Sequence, residues 1–123
     1  MKTTIKAFAL VAGTFFAGSA FSAQLVCDVY PKSGGHSWGN GTANCSGIDF
    51  SFGSSTGGRF YLKNVTKPIE EVSWSGDARC SGGTSCNVTI RAYSNTSASA
   101  LILYKDGTWE RTKTASAYYE TGH

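Results

Sequence analysis

The amino-acid sequence predicts an all-β protein, a small antiparallel β-sandwich that disulfide bonds stabilise. Short segments alternate apolar and polar residues, which is the pattern of strands with one buried face. Turn-forming residues interrupt these segments about every 8–12 positions, and no segment keeps helical spacing. About seven or eight strands of this kind predict an immunoglobulin-like architecture, although the residue spacing typical of true immunoglobulin domains is absent.

The first 23 residues differ in character from the rest. Lys2 and Lys6 precede an apolar run over residues 7–21, and small residues follow. This pattern predicts a secretory signal peptide over residues 1–23 and a single β-sandwich domain over residues 24–123. A cut after Ser22 fits the small-residue rule best, and cuts after Ala20 or Ala23 fit nearly as well. We therefore expect a secreted protein, either extracellular or periplasmic.

Charge and hydropathy narrow the classes of partner. The apolar run is shorter than the ~20 residues that a membrane-spanning helix needs, so we expect no stable membrane insertion. Removal of Lys2 and Lys6 with the signal lowers the number of basic residues from 11 to nine, against 8 acidic residues. The net charge of the predicted mature chain is therefore 9 − 8 = +1. A net charge this small, without runs of like charge, does not predict a nucleic-acid partner.

Four cysteines lie in the predicted domain, an even number that indicates two disulfides in a small exported chain. Three pairings are possible. We favour Cys27–Cys45 and Cys80–Cys86 because both close local loops, and residues 81–85 are flexible enough to allow the second. No two cysteines have CxxC spacing, so we expect neither a metal nor a cofactor.

The N-terminal part of the domain divides at proline and glycine residues. A first strand covers residues 24–30 and ends at Pro31, and the glycine-rich residues 33–41 predict a surface loop. Alternation then places Ile48, Phe50 and Phe52 on the inward face of a second strand.

A polar turn is predicted over residues 53–58, followed by a third strand with Phe60 inward. Val72 and Trp74 share the inward face of the next strand. We expect Phe50, Phe52, Phe60 and Trp74 to fill the core.

The C-terminal part reads as strands in the same way. After the ring that Cys80 and Cys86 close, Val88 and Ile90 share one face of a strand. The uninterrupted apolar run over residues 100–104 predicts a strand covered on both faces. Residues 105–108 then predict a hairpin turn, because glycine takes the positive φ that such a turn requires. The partner strand covers residues 109–119, with a break near residues 115–116.

Two patterns in the sequence bear on catalysis. Residues 35–39 match the GxSxG motif of serine hydrolases, but no helix pattern follows them, as that fold requires. The adjacent Glu70 and Glu71 point to opposite faces of a strand and cannot form a carboxylate pair. The dispersed acidic residues are interpreted as solvated surface charges. The protein is therefore predicted not to be an enzyme, and a small serine hydrolase using Ser37 is our third hypothesis.

Several aromatic and basic side chains are predicted to face outward. Exposed aromatic rings with polar neighbours can stack on sugars or anchor a protein partner. The alternative is that they pair across strands and stabilise the sheet. Trp38 is the hardest of them to explain by stability, because it falls in the predicted glycine-rich loop. The predicted ligand-binding residues are Trp38, Tyr61, Arg91, Tyr93, Trp109 and Arg111.

The sequence favours a secreted, non-catalytic binding module for an extracellular glycan, an envelope component or an exported enzyme. The alternative hypothesis is an inhibitor of a secreted protease, whose active-site cleft would receive the disulfide-closed residues 81–85. For a binding module we expect Trp38→Ala to weaken the interaction about tenfold or more, and Ser37→Ala to change it little. A hydrolase would require the Ser37 hydroxyl instead.

Overall fold

A computed structural model describes residues 22–122 of the chain. Within this range the chain forms nine strands and no helix. Accordingly, no helix of the described range is long and apolar enough to cross a membrane. The strands are β1 (Gln24–Tyr30), β2 (His36–Trp38), β3 (Asn44–Asp49), β4 (Ser55–Lys63), β5 (Ile69–Gly76), β6 (Ser85–Arg91), β7 (Thr96–Tyr104), β8 (Trp109–Arg111) and β9 (Ala115–Thr121).

The strands form two sheets, which confirms the predicted all-β, sandwich-like fold. The small sheet has the order β1-β4-β6, and the large sheet has the order β2-β3-β9-β7-β5, with β8 paired to β7. All pairs are antiparallel except β3 and β9, which run parallel from Asn44↔Ser116 to Asp49↔Thr121. This exception was not predicted, because the two strands are far apart in sequence and parallel neighbours need a long crossover between them. Immunoglobulin-like connectivity of the strands remains a prediction.

The core lies between the two sheets. Phe60, Ile90 and Tyr119 are fully buried in its main cluster, and Ile102 is fully buried in a smaller cluster. Their burial follows the predicted alternation, since each neighbours more exposed residues along its strand. Trp74 is partly buried and packs against the same core.

Both predicted disulfides are confirmed. Cys27–Cys45 joins β1 of the small sheet to β3 of the large sheet, and no cysteine is free. Cys80–Cys86 closes the connection between β5 and β6, which belong to different sheets. Such bridges form in oxidising environments, so the fold suits a compartment outside the cytoplasm.

The hairpin prediction at residues 105–108 is also confirmed. The Gly107 N–H donates to the Tyr104 carbonyl at 3.0 Å, and Gly107 has φ +89°. The Tyr104 N–H in turn donates to the Thr108 carbonyl at 2.8 Å. These bonds close the turn between β7 and β8.

The predicted loop over residues 33–41 is wrong in part, because it contains the short edge strand β2. His36, Ser37 and Trp38 pair with Ile48, Gly47 and Ser46 of β3. Glycine-rich sequence suggested irregular structure, but backbone hydrogen bonding to a neighbouring strand outweighs that local preference. Trp38 therefore lies on a strand at the sheet edge and not in a free loop.

The predicted core positions of Phe50 and Phe52 are wrong. Their exposed fractions are 61% and 64%, and β3 ends before them at Asp49. The inward residues of β3 are Cys45, Gly47 and Asp49, which places Ile48 on the outward face. A shift of one residue exchanges the two faces of a strand, and here the buried Cys27–Cys45 bridge faces inward from β3.

The predicted turn over residues 53–58 is also wrong in part, since β4 begins at Ser55. A Cβ atom at Gly58 would lie 2.7 Å from the Asp28 carbonyl oxygen and would overlap Ile90. Glycine therefore permits close packing inside the sandwich at this position, and it does not form a turn.

The apolar run over residues 100–104 is covered on one face only, contrary to prediction. Ala100, Ile102 and Tyr104 are buried, whereas the exposed fraction of Leu103 is 37% and Leu101 is half-buried. The outward face of this strand is therefore left as an apolar surface.

Candidate binding surfaces

The outer face of the large sheet contains a shallow groove across β5, β7 and β8, which we call the Trp109 groove. Strand register aligns two rows of side chains across it. One row is Glu71, Leu103 and Trp109, and the other is Ser73, Leu101 and Arg111. These six residues line a space of about 410 Å³.

The Trp109 groove combines an exposed apolar floor with charges of both signs. Trp109 is 66% exposed and lies beside Leu103. Glu71 supplies a carboxylate at one side of the groove and Arg111 supplies a guanidinium at the other. A flat ring with hydrogen-bonding groups around it can hold a ligand that is itself apolar on one face and polar at its edges.

Trp38 lies on the same outer face as Trp109 but at the other end of the sheet. It is 57% exposed, and its ring centroid is 6.3 Å from that of His36. Register places Trp38 in line with Tyr118 across β3, near the start of β7, whereas Leu103 is near the end of β7. At ~3.3 Å per residue this separates the two tryptophans by more than about 20 Å, too far for one sugar unit to contact both.

Tyr61 lies on the outer face of the small sheet and takes part in a cross-strand cluster. Its hydroxyl donates to Asp28 Oδ1 at 3.3 Å, and the Arg59 guanidinium lies 4.2 Å from its ring centroid. Arg59 Nε also pairs with Asp28 Oδ2 at 3.1 Å. Burial, together with the nearby Asp28 charge, raises the pKa of Tyr61. Contacts of this kind across strands are those expected under the alternative to ligand binding.

The remaining two predicted residues are apart from the groove as well. Arg91 is exposed at the end of β6, opposite Ser55. Tyr93 follows it at one end of the sandwich, 52% exposed, with φ +62° and its hydroxyl donating to the Thr121 carbonyl. Of the six predicted ligand-binding residues, the fold therefore brings only Trp109 and Arg111 into one site.

Sequence reasoning missed an aromatic surface at the same end of the sandwich as Tyr93. Phe50 packs over Gly122, next to Thr121. Phe52 has φ +61°, a conformation that bulky residues rarely adopt. Both phenylalanines continue the alternation of β3, so nothing local in the sequence indicated that the strand ends before them.

Sequence reasoning also placed Asp49 among the solvated carboxylates, and this is wrong. Asp49 is fully buried and accepts hydrogen bonds from the N–H groups of Lys32 (2.8 Å) and Ser51 (3.0 Å). The hydroxyls of Ser51 and Tyr119 also donate to it, at 2.7 and 2.8 Å. Burial favours the neutral form, but these donors outweigh it and hold the pKa of Asp49 well below its usual range. A buried, strongly hydrogen-bonded carboxylate of this kind has a structural role.

The serine of the GxSxG match lies on β2 and is exposed. Its hydroxyl oxygen accepts a hydrogen bond from Asn40 Nδ2 at 3.2 Å. An amide is not a proton acceptor of useful basicity, so this contact does not activate Ser37 as a nucleophile. In the described range, no group of three or more His, Cys, Asp and Glu side chains could hold a metal ion.

Comparison of the chain with models of protein families, with curated proteins and with solved structures finds no match in any of the three. Any functional proposal therefore depends on the residues of the surfaces described above.

Proposed function

We propose that the protein is an exported, non-catalytic binding module that recognises a polysaccharide through the Trp109 groove. The observation that carries the proposal is the cross-strand row of Glu71, Leu103 and Trp109, in which an exposed indole and a carboxylate share one concave surface. Export is expected from the N-terminal signal pattern, which lies largely outside the described residues.

A sugar ring matches the chemistry of this surface. Its C–H face is apolar and can stack on the indole of Trp109, while its equatorial hydroxyls can bond to Glu71, Ser73 and Arg111 at the sides. The groove is open and shallow, which suits an extended chain more than a small molecule enclosed on all sides. The two rows of side chains would contact about two adjacent sugar units, since neighbouring rows are roughly 7 Å apart along a strand.

The test is calorimetric titration of the domain with soluble neutral and acidic polysaccharides, namely β-glucan, xylan, mannan, dextran and alginate. We expect at least one to bind, and Trp109→Ala to weaken that binding about tenfold or more, because burial of an aromatic anchor contributes on the order of 1–3 kcal/mol. Arg111→Ala and Glu71→Ala should each weaken it less.

Trp38→Ala is the matched control. It removes an equally exposed indole from the same face of the same sheet, outside the groove. Equal losses in Trp38→Ala and Trp109→Ala would place the site elsewhere on this face. Failure of every polysaccharide to bind at millimolar concentration would contradict the proposal.

A protease inhibitor remains the second candidate, because one observation favours it. Two hydrogen bonds fix the backbone of the exposed loop that Cys80–Cys86 closes. Trp74 Nε1 donates to the Gly82 carbonyl at 3.1 Å, and the Leu62 N–H donates to the Thr84 carbonyl at 3.0 Å. A fixed loop loses little entropy when it enters a cleft. Stoichiometric inhibition in a panel of secreted proteases, abolished by Thr84→Pro but not by Trp109→Ala, would favour this candidate over glycan binding.

A further inference from the structure

The backbone at Ala23 is fastened to the fold although it precedes the first strand. Its exposed fraction is 6%, and its side chain packs with Ile102 and Tyr104 in a small core cluster. The Ala23 N–H donates to Glu110 Oε1 at 3.4 Å. Ser22, the residue before it, is exposed. The exposure of the chain therefore changes abruptly across the Ser22–Ala23 bond.

Glu110, whose carboxylate accepts this hydrogen bond, is held in position by its neighbours. It lies on the inward side of β8, opposite Ile102, and is half-buried. The Tyr104 hydroxyl donates to the same carboxylate oxygen, Oε1. Burial, followed by the hydrogen bond and the charge of Glu110, raises the pKa of Tyr104 to about 12, so this hydroxyl stays protonated and remains a donor at neutral pH. Two donors and one carboxylate therefore meet at the start of the domain.

We propose that processing cleaves the Ser22–Ala23 bond and that the new α-ammonium of Ala23 forms an ion pair with Glu110. A peptidase of the export pathway would add water across the bond: the water oxygen goes to the Ser22 carbonyl carbon, the C–N bond breaks, and the protons go to the Ala23 nitrogen. A neutral amide donor beside a carboxylate thereby becomes a cation beside it. The proposal rests on the signal-peptide pattern and is independent of glycan binding.

The geometry distinguishes this bond from the other two cleavage sites that the sequence pattern allows, which lie after Ala20 and after Ala23. A cut after Ala23 would remove a side chain that is buried against Ile102 and Tyr104. A cut after Ala20 would leave two residues ahead of Ala23, and the ammonium could not be at the nitrogen that contacts Glu110. Only a cut after Ser22 puts the new charge at the atom that already points at the carboxylate.

Other charges also face this position. Arg111 and Lys113 line the same groove of about 510 Å³ beside Ala23 and Glu110, and both oppose a positive charge there. Lys67 Nζ lies 4.6 Å from the Tyr104 ring centroid, and Asp106 pairs with that lysine. Of these groups Glu110 alone bonds to the Ala23 nitrogen, so its carboxylate dominates the sign of the interaction.

The first test is the mass of the protein exported by its own signal sequence. We expect a chain that begins at Ala23. A mature chain that begins at any other residue overturns the proposal, and this measurement does not depend on how any variant folds.

The second test compares two versions of the purified domain: one that begins at Ala23, and the same chain N-acetylated. The α-amino pKa, followed by NMR, should lie above its ordinary value of about 7.7–8.0 in the first version. Because this pKa is raised by folding, its stabilisation is present below about pH 7.7 and is lost as pH rises through the folded-state value. At pH 6.5, acetylation should raise the unfolding equilibrium constant about three- to tenfold.

Glu110→Gln should return the α-amino pKa to its ordinary value and remove the effect of acetylation. Glu70→Gln, which neutralises an exposed carboxylate on β5, is the control and should change neither. An α-amino pKa that is equally raised in Glu110→Gln, or not raised in the unsubstituted chain, would overturn the ion pair even if the cleavage site is correct.

Discussion

The carboxylate of Asp49 lies fully buried at the end of β3, where donors converge from three segments of the chain. They are the backbone after β1, the residues that follow β3 itself, and the C-terminal strand β9. A charge out of water is costly unless hydrogen bonds replace its hydration, and here four donors do so. Asp49 therefore holds the end of β3 to its surroundings most strongly when it is ionised.

The free energy of unfolding should therefore fall at low pH. The folded-state pKa of Asp49 is far below the value of about 3.9 expected in the unfolded chain, so its contribution is fully present above about pH 4 and is lost progressively as pH falls from there toward the folded-state pKa. In urea unfolding measured from pH 7 to pH 2, Asp49→Asn should be less stable than the unsubstituted protein at pH 7, and the difference should shrink at low pH. A difference independent of pH would contradict this explanation.

Tyr119→Phe tests the same cluster from its donor side. Loss of the buried hydroxyl removes one hydrogen bond to a charged group and should cost about 1.5–3 kcal/mol at pH 7. Tyr118→Phe removes a hydroxyl from the outward face of the same strand and should change the free energy of unfolding by less than about 0.5 kcal/mol. Equal effects of the two substitutions would show that the hydroxyl bond to Asp49 is not the cause.

At the scale of single elements, β4 shows how two adjacent glycines can have different functions. Gly57 faces outward, and a Cβ atom there would meet only Tyr30 Cδ2 at 3.9 Å, an ordinary contact. Gly58 faces the core, and a Cβ atom there would lie 2.7 Å from the Asp28 carbonyl oxygen. The first is replaceable, and the second sets the distance between β1 and the Ile90 side chain.

The alanine substitutions should therefore differ in sign or size. Gly58→Ala overfills the core and should destabilise the protein by about 1–3 kcal/mol. Gly57→Ala should be neutral or slightly stabilising, because alanine restricts the unfolded chain and costs no space here. Thermal unfolding of both variants measures the difference, and a similar loss in each would mean that backbone conformation at these positions, and not space, requires glycine.

At the scale of the whole molecule, the two disulfides act on different parts of the sandwich. Cys27–Cys45 connects the sheets through the core, and its sulfurs belong to residues that are 0% and 4% exposed. Cys80–Cys86 closes the connection from one sheet to the other, with Cys86 1% exposed in the core and Cys80 partly buried against it. The sequence separations of the bridged residues are 18 and 6.

Replacement of both cysteines of a bridge by alanine should cost more stability for Cys27–Cys45. The larger loop restricts the unfolded chain more, which by the chain-entropy model amounts to a difference of roughly 1 kcal/mol. Denaturant titration of the two double variants gives both values. A reversed order would mean that the short ring, with its bond to Trp74, organises more of the fold than its size suggests.

Only part of the Trp109 groove could be predicted from residues that are close together in the sequence. Trp109 and Arg111 are two residues apart, so alternation alone predicted that they share a face. Their neighbours Glu71 and Ser73 come from a strand about forty positions earlier. They join the site through the register of β5 on β7, which no local pattern specifies.

Sequence by itself determined the all-β class, the two disulfides, the position of most strands and the turn at Gly107, because each depends on alternation, spacing or backbone preference within a few residues. The tertiary structure decided the parallel pairing of β3 with β9, the exposure of Phe50 and the burial of Asp49. Those outcomes depend on which distant segments supply hydrogen bonds and on which face a strand presents to the opposite sheet. That choice is made by packing of the whole chain, and the same pattern of residues is compatible with either face until the neighbours are in place.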